Sequence, residues 1–266
     1  ISDPHIVAKG ALVCGHSDTH TALRIAVASI NERLAALGAI DCAIVTGDLT
    51  EHGRDEEYQH FAEIMADLAL PWLAIPGNHD THEGMRKAFG GSDWMPKSGP
   101  IHWIRDFGPF AVIGLDTLLE GAHHGWLSEE GFAFLDQCLD ELNGHPVIVA
   151  THHPWLPCGI VPMDQDNLRN GAALMQRLEQ YGGVAKMISG HVHRAITGQI
   201  GKVSCLIGPS TAHSVNRDQR YGAVHALAIE PGGVTLHAWL DAPQEMLISD
   251  VLPLTLKPAV WPFDGS

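Results

Sequence analysis

Two periods of apolar residues alternate along the chain, one typical of amphipathic helices and the other of short buried strands. Within residues 21–37 the apolar side chains recur at near-helical spacing, and Gly38 follows where a helix-ending glycine is common. The next apolar run, residues 42–46, is short and partly β-branched, which predicts a buried strand. The same criteria predict further helices over residues 55–70, 128–142 and 168–181, and further strands over residues 72–75, 147–150 and 184–189.

The order of these elements predicts the fold class. Strand, helix and strand in succession favour a mainly parallel sheet with helices on its outside. Beyond Gly190 the helical period stops, and strands are predicted over residues 203–207, 222–229 and 234–239. The C-terminal third therefore contributes a second sheet, and we predict an α/β protein with two sheets between layers of helices.

The end of the chain has a different composition. We predict one domain over residues 1–240 and a Pro-rich arm over residues 241–266. The prolines of the arm exclude a central strand or a long helix, whereas Trp261 and Phe263 give it an apolar surface. We therefore expect the arm to pack on the domain or on a partner subunit. In the second case the protein would be a homo-oligomer.

Charge and the length of apolar runs exclude several functional classes. The 266 residues carry 31 acidic and 16 basic side chains, a net charge of −15 that repels duplex nucleic acid and anionic membranes. No apolar run reaches the roughly 18 residues of a membrane-spanning helix. The five cysteines are widely spaced and fit neither a disulfide framework nor a zinc ribbon. We expect a protein of the reducing cytoplasm that acts on a small molecule.

Histidine is the unusual component of this sequence. The 18 histidines outnumber the 16 lysines and arginines combined, and imidazole is a common ligand of transition metals. Residues that can bind metals cluster just after predicted strands, where the carboxyl ends of parallel strands share one edge of a sheet. The candidates that we expect to converge at this edge are Asp3, His5, Asp48, Asn78, His152, His191 and His193.

This set of donors predicts two metal ions. It combines carboxylate, amide and imidazole groups without a thiolate, which suits Mn, Fe or Zn, and it exceeds the four ligands of one tetrahedral site. Two cations about 4 Å apart can hold a hydroxide at neutral pH, polarise a phosphoryl group and stabilise the leaving oxygen. Hydrolysis of a phosphate ester is the reaction that needs this combination.

The same residues carry a resemblance to a known family. They lie in blocks that follow the order usual for calcineurin-like metallophosphoesterases, namely Asp3-Pro4-His5, Gly47-Asp48, Gly77-Asn78-His79-Asp80, His152 and Gly190-His191-Val192-His193. One block alone is weak evidence, but all of them in this order, each after a predicted strand, are specific. Within the family the sequence most resembles bacterial class III cyclic-nucleotide phosphodiesterases and glycerophosphodiesterases, through residues 53–80 and 208–213.

The resemblance implies a role for each matching residue. His79 would contact the phosphate or protonate the leaving alkoxide, and Asp80 would fix the tautomer of His79. Substrate contacts are implied for Asn78, His79 and His213. For the metals, the resemblance implies a first ion on Asp3, His5 and His193, a second ion on Asn78, His152 and His191, and a bridging carboxylate at Asp48.

The resemblance also implies a fold and an activity. The family fold is a four-layer αββα sandwich with two mixed sheets and the metal site on the loops at one sheet edge, in agreement with the two sheets predicted above. The implied activity is hydrolysis of small phosphodiesters, of 3',5'-cyclic nucleotide or glycerophosphodiester type, by a hydroxide that bridges two metal ions. The alternatives are a phosphomonoesterase or nucleotidase on the same metal site and a non-catalytic scaffold of this fold.

The amino-terminal block departs from the family pattern. In the family, the pair formed by Asp3 and His5 normally ends an apolar strand, but only Ile1 and Ser2 precede Asp3 here. Either the first residues of that strand are missing from this sequence or the strand is supplied differently. Were residues missing, we would expect the metal site to be weakened at these two ligands but not abolished.

Overall fold

A computed structural model describes residues 1–254 except residues 221, 242 and 244. Its helices are α1 (Thr19–Leu37), α2 (Asp55–Met65), α3 (His82–Phe89), α4 (Glu129–Leu142), α5 (Val161–Gln165) and α6 (Gly171–Gln180). Its strands are β1 (Ala43–Val45), β2 (Trp72–Ala74), β3 (Trp103–Asp106), β4 (Ala111–Gly114), β5 (Val147–Ala150), β6 (Ala185–Ser189), β7 (Ile196–Ile200), β8 (Val203–Ile207), β9 (Ser214–Val215), β10 (Leu227–Ala228), β11 (Gly233–Leu240) and β12 (Met246–Pro253).

A six-stranded mixed sheet forms the centre of the fold, in the order β3-β4-β5-β6-β8-β7. The four middle strands are parallel, and β3 and β7 pair antiparallel at the two edges. The parallel register aligns Ile113 with Val149, and Val149 with Met187. Because these strands are parallel, their carboxyl ends lie at one edge of the sheet, and the loops that leave β5 and β6 there carry His152 and His191.

A smaller layer of strands lies beside this sheet. β1 and β2 pair in parallel, and β11 and β12 form an antiparallel hairpin. The first residues of the chain run alongside β1 and the residues that follow it. Ile1 N donates to Ile44 O at 3.0 Å, Thr46 N donates to Ile1 O at 3.1 Å, and Asp3 N donates to Gly47 O at 3.3 Å. The short segment that precedes the first predicted ligands is therefore held in strand-like contact with β1.

Two hydrophobic cores account for the order of the layers. Successive side chains of a strand point to opposite faces of its sheet, so the six-stranded sheet contributes to both cores. One core joins Val112, Ile148 and Ile188 of this sheet to residues of the smaller layer and of α1, α2 and α3. The other core joins the alternate residues Ile113 and Val149 to α4 and α6. The layers thus follow the order helix, sheet, sheet, helix.

The predicted α/β class is confirmed, as are most predicted elements. β5 has the predicted bounds, and α4 begins after Ser128, whose hydroxyl accepts a hydrogen bond from Gly131 N. Gly38 ends α1 with a φ of +82°, a left-handed conformation that favours glycine. The predicted strand over residues 222–229 is wrong in extent, because only β10 forms there. None of the described helices combines the length and the hydropathy needed to cross a bilayer.

The predicted C-terminal arm needs correction over its first half. Met246–Pro253 is β12, and it pairs along its whole length with β11, so the part of the chain beyond residue 240 continues the fold. Pro253 is the last residue of this strand, and among the described residues β12 pairs with β11 alone, which is compatible with a proline at its end. The remainder of the predicted arm, residues 255–266 with Trp261 and Phe263, lies outside the described residues, and the oligomer contact stays a prediction.

Candidate metal centre

The loops that follow β1, β2, β5 and β6 meet the amino-terminal residues at one edge of the two layers. Five residues of these loops and of the amino-terminal segment have φ angles between 47° and 72°. This left-handed conformation is costly for residues other than glycine and is frequent at functional sites. They are Asp3, His5, Asp48, His191 and His193. All belong to the predicted metal ligands, and the structure brings the complete predicted set together, buried except for the half-buried Asn78.

One group of donors surrounds His5. Its Nε2 atom lies 3.0 Å from His193 Nε2 and 3.3 Å from Asp48 Oδ2. Asp3 Oδ1 lies 3.5 Å from His193 Nε2. One atom from each of these four residues lies within 4.8 Å of the others, a mixed nitrogen and oxygen set that suits a transition metal.

A second group adjoins the first through Asp48. Asn78 Oδ1 lies 3.1 Å from His152 Nε2 and 2.9 Å from His191 Nδ1. His152 Nε2 also lies 3.3 Å from Asp48 Oδ2, the same distance that separates this oxygen from His5 Nε2. One carboxylate oxygen is thus shared between the two groups, as a carboxylate that bridges two ions would be.

Backbone carbonyls hold two of the imidazoles from behind. His152 Nδ1 lies 2.8 Å from Thr46 O, and His193 Nδ1 lies 3.2 Å from His213 O. A carbonyl can only accept, so each contact favours the tautomer that carries its hydrogen on Nδ1. The lone pair of Nε2 then faces the cluster, which is the orientation that a metal ligand needs.

The donor set fits bound cations. Nitrogen atoms of His5 and His193 face each other across 3.0 Å, so without a metal ion one of them must carry a hydrogen, and a bound cation would take the place of that hydrogen. Burial lowers the pKa of His193 well below its usual range, so this ring is neutral and can bind a metal. Burial also lowers the pKa of His152, but the Asp48 carboxylate outweighs it and raises the pKa to about 9. Protons and metal ions therefore compete for His152.

His79 and Asp80 are neighbours in the sequence, but their side chains point apart. His79 N donates to Asp48 Oδ1 at 2.9 Å, and its Nδ1 donates to Glu51 O at 2.7 Å. The backbone turns here, because Asp80 N donates to Gly77 O at 3.2 Å. The Asp80 carboxylate instead accepts hydrogen bonds from Gly77 N, Leu49 N, Thr50 N, Thr50 Oγ1 and Tyr58 Oη. The predicted role of Asp80 in fixing the tautomer of His79 is therefore wrong, and Asp80 ties the two ligand loops together.

Glu51 is a residue of the site that sequence reasoning missed. Its Oε2 atom lies 2.7 Å from His5 Nδ1, while its carbonyl is the acceptor for His79. The signal in the sequence is its position three residues after Asp48, in the same loop. That position alone does not indicate that the side chain turns back to a histidine near the start of the chain.

A cavity of about 270 Å³ opens onto the two groups of donors. The predicted substrate contacts Asn78, His79 and His213 all line it. The ring centre of His213 lies 4.9 Å from that of His193, and His213 Nδ1 lies 3.0 Å from Ser17 Oγ. Burial and the neighbouring His193 lower the pKa of His213 to about 3, so this ring is neutral and polar.

Comparison with known proteins adds independent findings. A family model described as calcineurin-like phosphoesterase matches residues 1–195, a range that contains every predicted metal ligand. The chain is 35% identical to a probable glycerophosphodiester phosphodiesterase, GpdQ, of Arcobacter nitrofigilis, over 91% of this chain and 88% of that protein. It is 31% identical to a 3',5'-cyclic adenosine monophosphate phosphodiesterase, CpdA, of Pseudomonas aeruginosa, over 79% of this chain and 74% of the relative.

A solved structure supports the fold separately. A dimetal phosphatase from Danio rerio superposes with a TM-score of 0.60 at 17% identity, covering 82% of this chain and 92% of that one. At this level of identity the likeness concerns the fold alone.

Proposed function

The chain belongs to the calcineurin-like phosphoesterase family, and we propose that it is a metal-dependent hydrolase of small phosphodiesters. The observation that carries the proposal is the position of Asp48. Its Oδ2 atom lies 3.3 Å from a nitrogen of His5 and 3.3 Å from a nitrogen of His152, which belong to different donor groups. A shared carboxylate between two sets of N and O donors is the arrangement that a binuclear hydrolase requires.

In this proposal the two donor groups hold two ions of Mn, Fe or Zn. The first ion would be held by Asp3, His5 and His193, the second by Asn78, His152 and His191, and Asp48 would bind both. When bound, two such ions supply a hydroxide at neutral pH for in-line attack on phosphorus and stabilise the negative charge of the transition state.

The remaining steps belong to the side chains around the cavity. His79 is held through Nδ1 by the Glu51 carbonyl at 2.7 Å, which leaves Nε2 to face the substrate. In its protonated form His79 would give a proton to the leaving alkoxide from this atom. Asn78 and His213 line the same cavity and would hold the phosphate and the ester group by hydrogen bonds.

The size of the cavity and the names of the relatives support small diesters as substrates. The volume of about 270 Å³ suits a small molecule. One relative is named for glycerophosphodiesters and the other for cyclic adenosine monophosphate, and we propose these two classes as the candidates. A cytoplasmic location is part of the proposal and fits the five free cysteines.

The proposal is tested by turnover and metal content measured on the same preparations. Protein reconstituted with Mn²⁺ would be assayed on glycerophosphocholine, cyclic AMP, bis(p-nitrophenyl) phosphate and p-nitrophenyl phosphate. Asn78→Ala removes a predicted ligand of the second ion, and Gln137→Ala removes the amide of an exposed residue on α4 as a matched control. Bound metal would be counted by mass spectrometry.

We expect two ions per chain and diester turnover in the wild type and in the Gln137→Ala variant. Asn78→Ala should bind one ion fewer under the same conditions and lose about 100-fold or more in kcat, because one of the paired ions is absent. Turnover of the monoester alone would contradict the proposal in favour of a phosphomonoesterase. Two bound ions without turnover of any of these esters would contradict it in favour of a binding protein.

A further inference from the structure

The acceptor behind His5 differs in kind from the acceptors behind His152 and His193. The latter two rings are held by backbone carbonyls, whereas His5 Nδ1 lies 2.7 Å from a carboxylate oxygen of Glu51. We infer that Glu51 is a positioning residue, whose carboxylate accepts the Nδ1 hydrogen of His5 and so directs Nε2 to the first metal ion. The inference rests on the metal use contained in the proposed function.

The geometry of the ring makes this contact decisive. The two nitrogens of an imidazole point in different directions, and in the neutral ring one of them carries the hydrogen. His5 Nε2 is the atom that faces the donors, 3.3 Å from Asp48 Oδ2 and 3.0 Å from His193 Nε2. Only the tautomer with hydrogen on Nδ1 leaves a lone pair at this position, and a carboxylate is a strong acceptor for that hydrogen.

The backbone of Glu51 is fixed on both sides, so its carboxylate has a defined position. Glu51 N donates to Ile6 O at 3.0 Å, in the residue next to His5. Glu51 O accepts from His79 Nδ1 at 2.7 Å. The side chain is 17% exposed and lies between these two anchors. Glu51 is thus hydrogen-bonded both to His5, a proposed ligand of the first ion, and to His79, the proposed general acid.

Glu51 could instead bind a metal ion itself, because atoms of His5, Glu51 and His79 lie within 4.8 Å of one another. The hydrogen-bond distances argue against this alternative. His5 Nδ1 and His79 Nδ1 are each occupied at 2.7 Å by an oxygen of Glu51, so neither nitrogen is left for an ion between them. The two alternatives predict different numbers of bound ions.

The test uses metal binding, which does not depend on turnover. Mn²⁺ would be titrated into the apoprotein by calorimetry for the wild type and for Glu51→Ala, Glu51→Gln and Glu56→Ala. Glutamine keeps an oxygen that can accept from His5 Nδ1, whereas alanine removes it. Glu56 is an exposed acidic residue of the neighbouring helix α2, and its variant controls for the loss of one negative charge. Circular dichroism would verify that each variant is folded.

We expect Glu51→Ala to lower the affinity for one of the two ions about 10-fold to 100-fold, while the affinity for the other changes by less than about threefold. Glu51→Gln should keep most of the affinity, and Glu56→Ala should resemble the wild type. Unchanged binding by Glu51→Ala would overturn the inference, as would equal losses in the alanine and glutamine variants. If the wild type bound three ions and Glu51→Ala bound only two, the inference would be overturned in favour of a metal ion bound by Glu51 itself. If the wild type bound two ions but hydrolysed no ester, the proposed function would fail while this test could still succeed.

Discussion

Gly77 lies so close to Asp48 that a Cβ atom at position 77 would overlap the Asp48 carboxylate and its backbone nitrogen. The φ angle of Gly77 is outside the left-handed region, so glycine is required there for space and not for backbone conformation. The position of the Asp48 carboxylate, which the two donor groups share, therefore depends on residue 77 having no side chain.

Gly77→Ala should displace Asp48 and lower the affinity for both metal ions. We expect at least a 10-fold loss of affinity for each ion and a loss of about 1–3 kcal/mol in the free energy of unfolding, because the site cannot expand. Gly91→Ala is the matched control, since nothing lies within 4 Å of a Cβ at this position. Calorimetric titration and thermal unfolding measure both effects. Normal metal binding by Gly77→Ala would show that Asp48 can move without loss.

The role of His79 can be tested through the leaving group. His79→Ala should reduce kcat about 100-fold to 1000-fold on glycerophosphocholine, because its alkoxide must be protonated as it leaves. The loss on bis(p-nitrophenyl) phosphate should be about 10-fold or less, since p-nitrophenolate leaves without a proton. Equal losses on the two substrates would assign His79 to phosphate binding and would exclude it as the acid.

Asp80 should be important for stability and not for protonation of the substrate. Asp80→Asn replaces one acceptor oxygen by a donor that faces other donors, among them Gly77 N and Leu49 N. We expect a loss of about 3 kcal/mol in the free energy of unfolding, measured by urea denaturation. The variant should still bind two ions, and its kcat should change equally for the two substrates above. A defect confined to the alkyl diester would restore the predicted link between Asp80 and His79.

The convergence of the metal donors could be predicted from the sequence because it depends on topology. His152 and His191 each follow a buried strand, and parallel strands bring their carboxyl ends together whatever the detail of the loops. The contacts of Asp80 and Glu51 could not be predicted in this way. They depend on how a turn directs one side chain, and adjacency in sequence suggested the wrong partner for His79.

Two of the elements that the pattern missed, α3 and β7, have local causes. α3 contains Gly84, which lowers helix propensity, although Thr81 caps it by accepting a hydrogen bond from Gly84 N at 3.1 Å. β7 contains Gly198 and is only partly buried, so its apolar period is weak. In both segments the tertiary contacts outweigh a weak local preference.

Metal removal should lower the stability of the whole domain. Adding Mn²⁺ at about 100 times its Kd to the apoprotein should contribute about 2.7 kcal/mol per site. For a chain of this size that corresponds to a rise in Tm of about 5–10 °C for each site. The rise should shrink between pH 8 and pH 6, because Asp48 raises the pKa of His152 to about 9 and protons then compete with the ion. A rise that does not depend on pH would contradict this competition.

A pH-dependent contact lies outside the metal centre, at the start of α3. His82 Nε2 lies 2.7 Å from Asp116 Oδ2, and His82 Nδ1 lies 2.9 Å from Glu120 Oε1. The hydrogen bond to Asp116 raises the pKa of His82 above its ordinary value, and this effect outweighs the burial of the ring, which is 26% exposed. Both nitrogens can donate only when the ring is protonated, so the charged form joins α3 to the loop after β4.

The sign of the resulting pH dependence follows from the direction of the shift. A raised pKa in the folded state means that His82 stabilises the fold fully below pH 6.5 and loses this contribution as the pH rises through the raised value. His82→Gln should therefore cost about 1 kcal/mol at pH 6 and clearly less at pH 9, with the metal removed from both proteins. Replacing the exposed His16 by glutamine provides the control, for which the cost should be small at both values. Urea denaturation at the two pH values measures the difference, and an equal cost at both would show that the neutral ring holds the two elements together equally well.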